Sequence, residues 1–183
     1  MMITLVLIGL FAILALTFIY YFNALRKASL KTDEAFAQID VQLKRRADLI
    51  PNLIETVKGY AKHETETLQK VTDARTSSVQ ATTFEQKVSS DNMLTGALRG
   101  LLAISENYPD LKASSNFLQL QEELSTTENK IAFARQYYND SVLLLNTKMK
   151  TIPSSLFVKT AGVSEKPFYK VDEASKEKPE VKF

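Results

Sequence analysis

The sequence predicts an all-α protein in which one N-terminal transmembrane helix is followed by a helical bundle. Three observations carry this: an uncharged apolar run at the start, apolar residues recurring every three to four positions through the rest, and few helix-breaking residues. The 183 residues include five glycines and five prolines, which is few for a turn-rich β architecture. Beyond the apolar run the chain is long enough for one domain with its own core, and a second domain is not expected.

Met1 to Phe22 carries no charged side chain. At 1.5 Å per residue, roughly 20 apolar residues cross a hydrocarbon core of ~30 Å, so this segment can span a bilayer. A cleaved signal peptide would open on Lys or Arg and close on a small-x-small site, and neither is evident. A buried core helix would not be apolar on every side over this length. Tyr20, Tyr21 and Phe22 stand at the predicted exit, where amphipathic rings favour the headgroup level. Arg26, Lys27 and Lys31 follow the run, whereas only the α-amino group precedes it. That asymmetry predicts a single-pass protein of the cell (inner) membrane with its N-terminus outside and the bulk of the chain cytoplasmic. Because the rule rests here on three residues, the opposite orientation stays open.

No glycine or proline occurs between Gly9 and Pro51, so the spanning helix is expected to continue into the soluble part, roughly 42 Å from Asn23 to Ile50. Phe36, Ile39, Leu43, Ala47 and Ile50 form its apolar stripe, with Lys44, Arg45 and Asp48 off it. Pro51 either kinks this helix or opens a new one as a first-turn proline. Ile54, Val57, Ala61, Leu68, Val71 and Ala74 continue the helical period to about Arg75, and the polar run from Thr76 to Thr83 reads as a connection. Thr83 and Gln86 have capping-box spacing, which starts a third helix faced by Leu94, Ala97, Leu98, Leu101, Leu102 and Ile104. Asn107 to Asp110 interrupts the pattern. In the last helix Phe117, Leu124, Ile131, Tyr138, Leu145 and Ile152 fall on one heptad column, with Asn116 and Gln119 placed to cap its start. The companion column holds Thr127, Ser141 and Lys148, which favours an intramolecular bundle over a dimeric coiled coil. Pro153 stops the helix. The expected organisation is an anchor over 1–22, a bundle over 23–152 and a charged tail over 153–183.

Chemistry is sparse. Cysteine is absent and the formal net charge is +2, with basic and acidic residues interleaved, so no nucleic-acid partner is expected. His63-Glu64 lacks the second histidine of a zinc-protease helix, since position 67 is Thr67. Glu64/Glu66, Glu122/Glu123 and Asp172/Glu173 are adjacent or alternate positions, whose side chains diverge on a helix rather than converge on a metal or substrate. No nucleophile elbow, phosphate loop or dinucleotide fingerprint occurs. No catalytic residue, cofactor or metal site is expected. Two polar groups stand out: Lys44, Arg45, Arg46 and Asp48 with Asn52, and Glu128, Arg135 and Asn139 along one face of the last helix. Meeting across the bundle, they would form either an ionic network that fixes helix register or a surface for a partner.

Four runs resemble the LemA family. They are Asp33-Glu-Ala-Phe-Ala-Gln-Ile-Asp-Val-Gln-Leu-Lys-Arg-Arg-Ala-Asp-Leu-Ile-Pro-Asn-Leu-Ile-Glu-Thr-Val-Lys-Gly-Tyr-Ala61, Ser105-Glu-Asn-Tyr-Pro-Asp-Leu-Lys112, Asn116-Phe-Leu-Gln-Leu-Gln-Glu-Glu-Leu124 and Thr127-Glu-Asn-Lys-Ile-Ala132. Pro179-Glu-Val-Lys-Phe183 resembles its closing block. Phe36 stands where many members carry Trp, and Leu145 where Tyr is common. The resemblance implies a membrane-anchored, antiparallel up-and-down four-helix bundle with the body in the cytoplasm. The family has no established biochemical activity; a rigid anchored helical surface without reactive residues makes the functional expectation a non-enzymatic scaffold or adaptor. Its partners would be membrane lipid through residues 1–22 and either a second copy of itself or another membrane protein. The alternatives are a regulator of a membrane protease or phosphatase-like partner and, less supported, a hydrolase using an acid pair assembled by the fold.

Overall fold

The computed structural model describes residues 1–170, and every regular element among them is a helix: α1 (Met2–Tyr60), α2 (Thr65–Gln80), α3 (Phe84–Ser105), α4 (Pro109–Lys112), α5 (Ser115–Lys150), a 3-10 turn (Ser154–Phe157) and α6 (Val158–Ala161). The expectations for Asp172, Glu173 and the closing run to Phe183 lie outside the described residues.

Helix α1 runs unbroken through Pro51. The proline removes the N–H that would reach the carbonyl of Ala47, four residues back. Arg75 of α2 donates its Nε–H to that carbonyl at 3.1 Å, so the freed acceptor is satisfied and the helix continues. Of the two outcomes left open at Pro51, a new helix does not begin there; α1 ends instead at Tyr60, before a turn at residues 61–64 in which His63 sits exposed rather than on a helix face. Val57 before this turn, Ala61 at its start and Leu68 after it are all buried. Because the turn keeps the apolar phase, the sequence period did not reveal it. The polar stretch from Thr76 to Gln80 is also helical rather than a connection. Thr83 caps α3 as its spacing indicated, accepting from the N–H of Gln86 while the Gln86 side chain accepts from the N–H of Thr83.

The chain divides into two compact units, Met1–Gln38 with Ala134–Phe168, and Ile39–Phe133 with the segment beginning at Tyr169. In the first, α1 and α5 run antiparallel: Thr32 donates to the carbonyl of Ser141 at 3.3 Å, and Phe36 meets Tyr138 at 5.6 Å between ring centroids. Leu25, Ala28, Ala35, Val142 and Leu145 are buried there. Ser141 interrupts the companion heptad column, yet it is buried, because its hydroxyl donates to the carbonyl of Tyr137 at 2.9 Å within its own helix. Part of the expected tail is ordered against this unit. Tyr138 donates to the carbonyl of Pro167 at 2.9 Å. Asn146 exchanges two hydrogen bonds with the backbone of Lys166, at 3.0 and 3.2 Å. Gly162, at φ +61°, ends α6 in the left-handed conformation that favours glycine. Ile152 lies beyond the end of α5 and is exposed, so the heptad column ends at Leu145.

In the second unit Ile50, Leu53, Val57, Leu68, Val71, Leu94, Leu98, Leu101, Phe117 and Leu124 form one core contributed by α1, α2, α3 and α5. These are largely the stripes read from the sequence. Asn116 is the second residue of α5, inside the helix rather than preceding it.

Candidate functional site

In the second unit one polar cluster interrupts the apolar core. Arg46 lies on the stripe between Leu43 and Ile50 of α1 and is 1% exposed. Its Nη2 forms an ion pair with Oδ1 of Asp91 and donates to the Asp91 carbonyl at 3.2 Å. Its Nη1 donates to Thr95 Oγ1 at 3.0 Å and to Glu128 Oε2 at 2.7 Å. Asp91 is fully buried, and its second oxygen accepts the Tyr169 hydroxyl at 2.6 Å. The Tyr169 ring meets Phe84 edge-on at 5.9 Å. Three separate stretches of chain, α1, α3 and α5, thus meet at one guanidinium, and the segment at Tyr169 joins them through Asp91.

The chemistry of this arrangement is mutual neutralisation. Arg46 and Asp91 are the buried charged side chains among the described residues, and each answers the other. A carboxylate that already accepts from a guanidinium and a phenol is poorly placed to act as a general base. Glu128 differs, because its side chain is 44% exposed and forms the rim. Beside it a groove of about 320 Å³ is lined by Leu98, Leu102 and Leu124 together with Arg99.

Of the residues singled out from the sequence, the structure brings together Arg46 and Glu128. Lys44, Arg45, Asp48 and Asn52 are exposed and outside the cluster. Lys44 and Asp48 line a different groove, of about 400 Å³, with Arg75 and Lys87. Arg135 and Asn139 are half-buried and belong to the first unit. Asp91, Thr95 and Tyr169 were missed. Asp91 carried a signal, since it sits at helical spacing from Leu94, Leu98 and Leu101, a carboxylate on a core column. Tyr169, in a charged stretch without periodicity, carried none.

Elsewhere Glu64 accepts from the Tyr108 hydroxyl at 2.9 Å, a bond that pushes the phenol above its ordinary pKa. Glu66 pairs with Lys70 at 2.7 Å, and that hydrogen bond and charge hold its carboxyl below its ordinary value. In the first unit, burial and then the charge of Asp33 push Tyr138 up to about 12.

A model of the LemA family matches residues 35–183 of this chain. Protein LemA of Metamycoplasma hominis is 32% identical over 151 residues, covering 78% of this chain and 68% of that protein. Arg46, Asp91, Glu128 and Tyr169 all fall within the family match, and the apolar run precedes it.

Proposed function

We propose that this chain, which belongs to the LemA family, is a membrane-anchored, non-enzymatic scaffold or adaptor that works through protein–protein contacts. The observation that carries this reading is at the start of α1. An 18-residue window there has a mean hydropathy of 2.8, and none of it is buried in the fold. Leu5, Val6, Ile8, Phe11 and Ile13 stay more than half exposed, an arrangement that lipid stabilises and water does not. Residues 1–22 are the anchor, and the cations after the run support a body in the cytoplasm with the N-terminus outside. The body is an antiparallel up-and-down four-helix bundle.

The buried charges support a structural rather than reactive interior, because Arg46 and Asp91 bind each other. Identical anchors confined to one plane raise the effective concentration of the bundles, so weak self-contacts add up to an oligomer. Crosslinking in intact membranes, followed by mass spectrometry of what is captured, tests this. Recovery mainly of the chain itself is the expected result. One reproducible, different membrane protein would make the chain an adaptor for that protein's activity. A chain that crosslinks to nothing and is monomeric both in detergent and in nanodiscs would overturn the scaffold reading.

A further inference from the structure

We propose that the turn after α5, residues 151–161, is a second membrane-contacting element that lies among the phospholipid headgroups beside the span. This rests on the reading that the apolar run crosses the bilayer. The argument begins with register. Thr32 of α1 bonds to Ser141 of the antiparallel α5. Both helices rise equally per residue, so nine residues further along α5, at its last residue Lys150, the level on α1 is that of Asn23. Helix α5 therefore ends at the predicted exit from the membrane, one residue past Phe22.

The chain then folds back along α1. Phe157 stacks parallel to Tyr21, at 5.8 Å and 4°, and meets Phe18 edge-on at 5.7 Å. Arg26 reaches the carbonyl of Ala161 at 3.5 Å. These contacts set the turn beside residues 18–26, with Phe157 against rings that belong to the apolar run itself. The turn is held from inside by buried Ser154 and Ala161, while Ile152 is 83% and Leu156 73% exposed. Two large aliphatic side chains thus project from a fixed turn next to a surface read as lipid-facing.

Charge completes the match. Lys150, which pairs with Glu165 at 3.2 Å, and Lys159 stand at the two ends of the turn, and Arg26 and Lys27 follow the span on α1. Apolar side chains flanked by cations are what an element lying in the headgroup region needs: acyl chains solvate Ile152 and Leu156, and lipid phosphates answer exposed Lys27 and Lys159.

The chain has no cysteine, so single replacements Phe11→Cys, Glu34→Cys and Leu156→Cys can each carry an environment-sensitive fluorophore. All three positions are exposed. The full chain is placed in nanodiscs of phosphatidylethanolamine and phosphatidylglycerol and challenged with nitroxide-bearing lipid and with aqueous iodide. Emission from positions 11 and 156 should shift to the blue and be lost to the lipid quencher. Emission from position 34, about 18 Å along the helix beyond Phe22, should be lost to iodide alone. Lipid quenching at 11 with iodide quenching at 156 overturns the proposal and leaves the anchor standing. A label at 156 shielded from both quenchers means that protein covers the turn, which also overturns it. Absence of lipid quenching at 11 removes the anchor reading, and the proposal with it.

Discussion

Arg46→Met keeps most of the side chain's length and volume but strips the counter-charge from Asp91. Not all of the lost contacts matter equally. Glu128, with 44% of its side chain exposed, is re-solvated and contributes little. Half-buried Thr95 keeps access to water. The penalty therefore falls on Asp91, which is fully buried and keeps the Tyr169 hydroxyl but loses its cation. Removing one partner of such a pair costs about 3–5 kcal/mol. For a chain of this length that lowers Tm by roughly 6–20 °C, at 2–4 °C per kcal/mol. Urea unfolding of the full chain in mild detergent, followed by near-ultraviolet circular dichroism, measures it. The neighbouring Arg45→Met is the control: Arg45 is exposed, and its removal should change stability by no more than about 0.5 kcal/mol. Arg46→Met combined with Asp91→Leu should recover most of the loss, since no uncompensated buried charge remains. Arg46→Met within about 1 kcal/mol of Arg45→Met would refute the reasoning.

Three further outcomes are expected. Tyr169→Phe deletes the 2.6 Å bond to Asp91 and should destabilise by about 1.5–3 kcal/mol, the range for a hydrogen bond to a charged group; denaturant titration giving no change would place that hydroxyl outside the network. Arg75→Leu leaves the Ala47 carbonyl without the Nε donor and should cost about 1–3 kcal/mol, whereas Pro51→Ala in the same chain restores an N–H and should return much of it; equal stability of the single and double variants would refute the compensation. Tyr138 titrates at about 12 in the folded chain, and the unfolded phenol titrates near 10, so between these values the unfolded state gives up a proton that the folded state keeps. The contribution of Tyr138 to stability is therefore constant below about pH 10 and is lost as pH rises to 12, by roughly 1–2 kcal/mol after solvent screening; Tyr138→Phe should flatten this slope in denaturation series across that interval.

The apolar stripes were legible because a helix that buries one face repeats its contacts every three to four residues. Ile39, Leu43, Ala47 and Ile50, and likewise Leu94, Leu98 and Leu101, are buried where the period put them. The capping box at Thr83 and Gln86 was legible for a similar reason, since both partners lie within one turn. Helix boundaries were less so. A proline signals a break partly through the hydrogen bond it removes, and Arg75, 28 residues away, supplies a substitute donor. The turn at residues 61–64 kept the phase of the pattern and so left no trace in it.

The sequence by itself determined the helical class, the apolar run, the core-facing residues and the family, because each depends on composition, on neighbours within a turn or two, or on long matching runs. Only the tertiary structure decided which charges meet. Arg46, Asp91 and Tyr169 are separated by 45 and 78 residues, and nothing local distinguishes Arg46 from Arg45 except one step around the helix. That step, about 100°, turns one guanidinium into the core and the other into water.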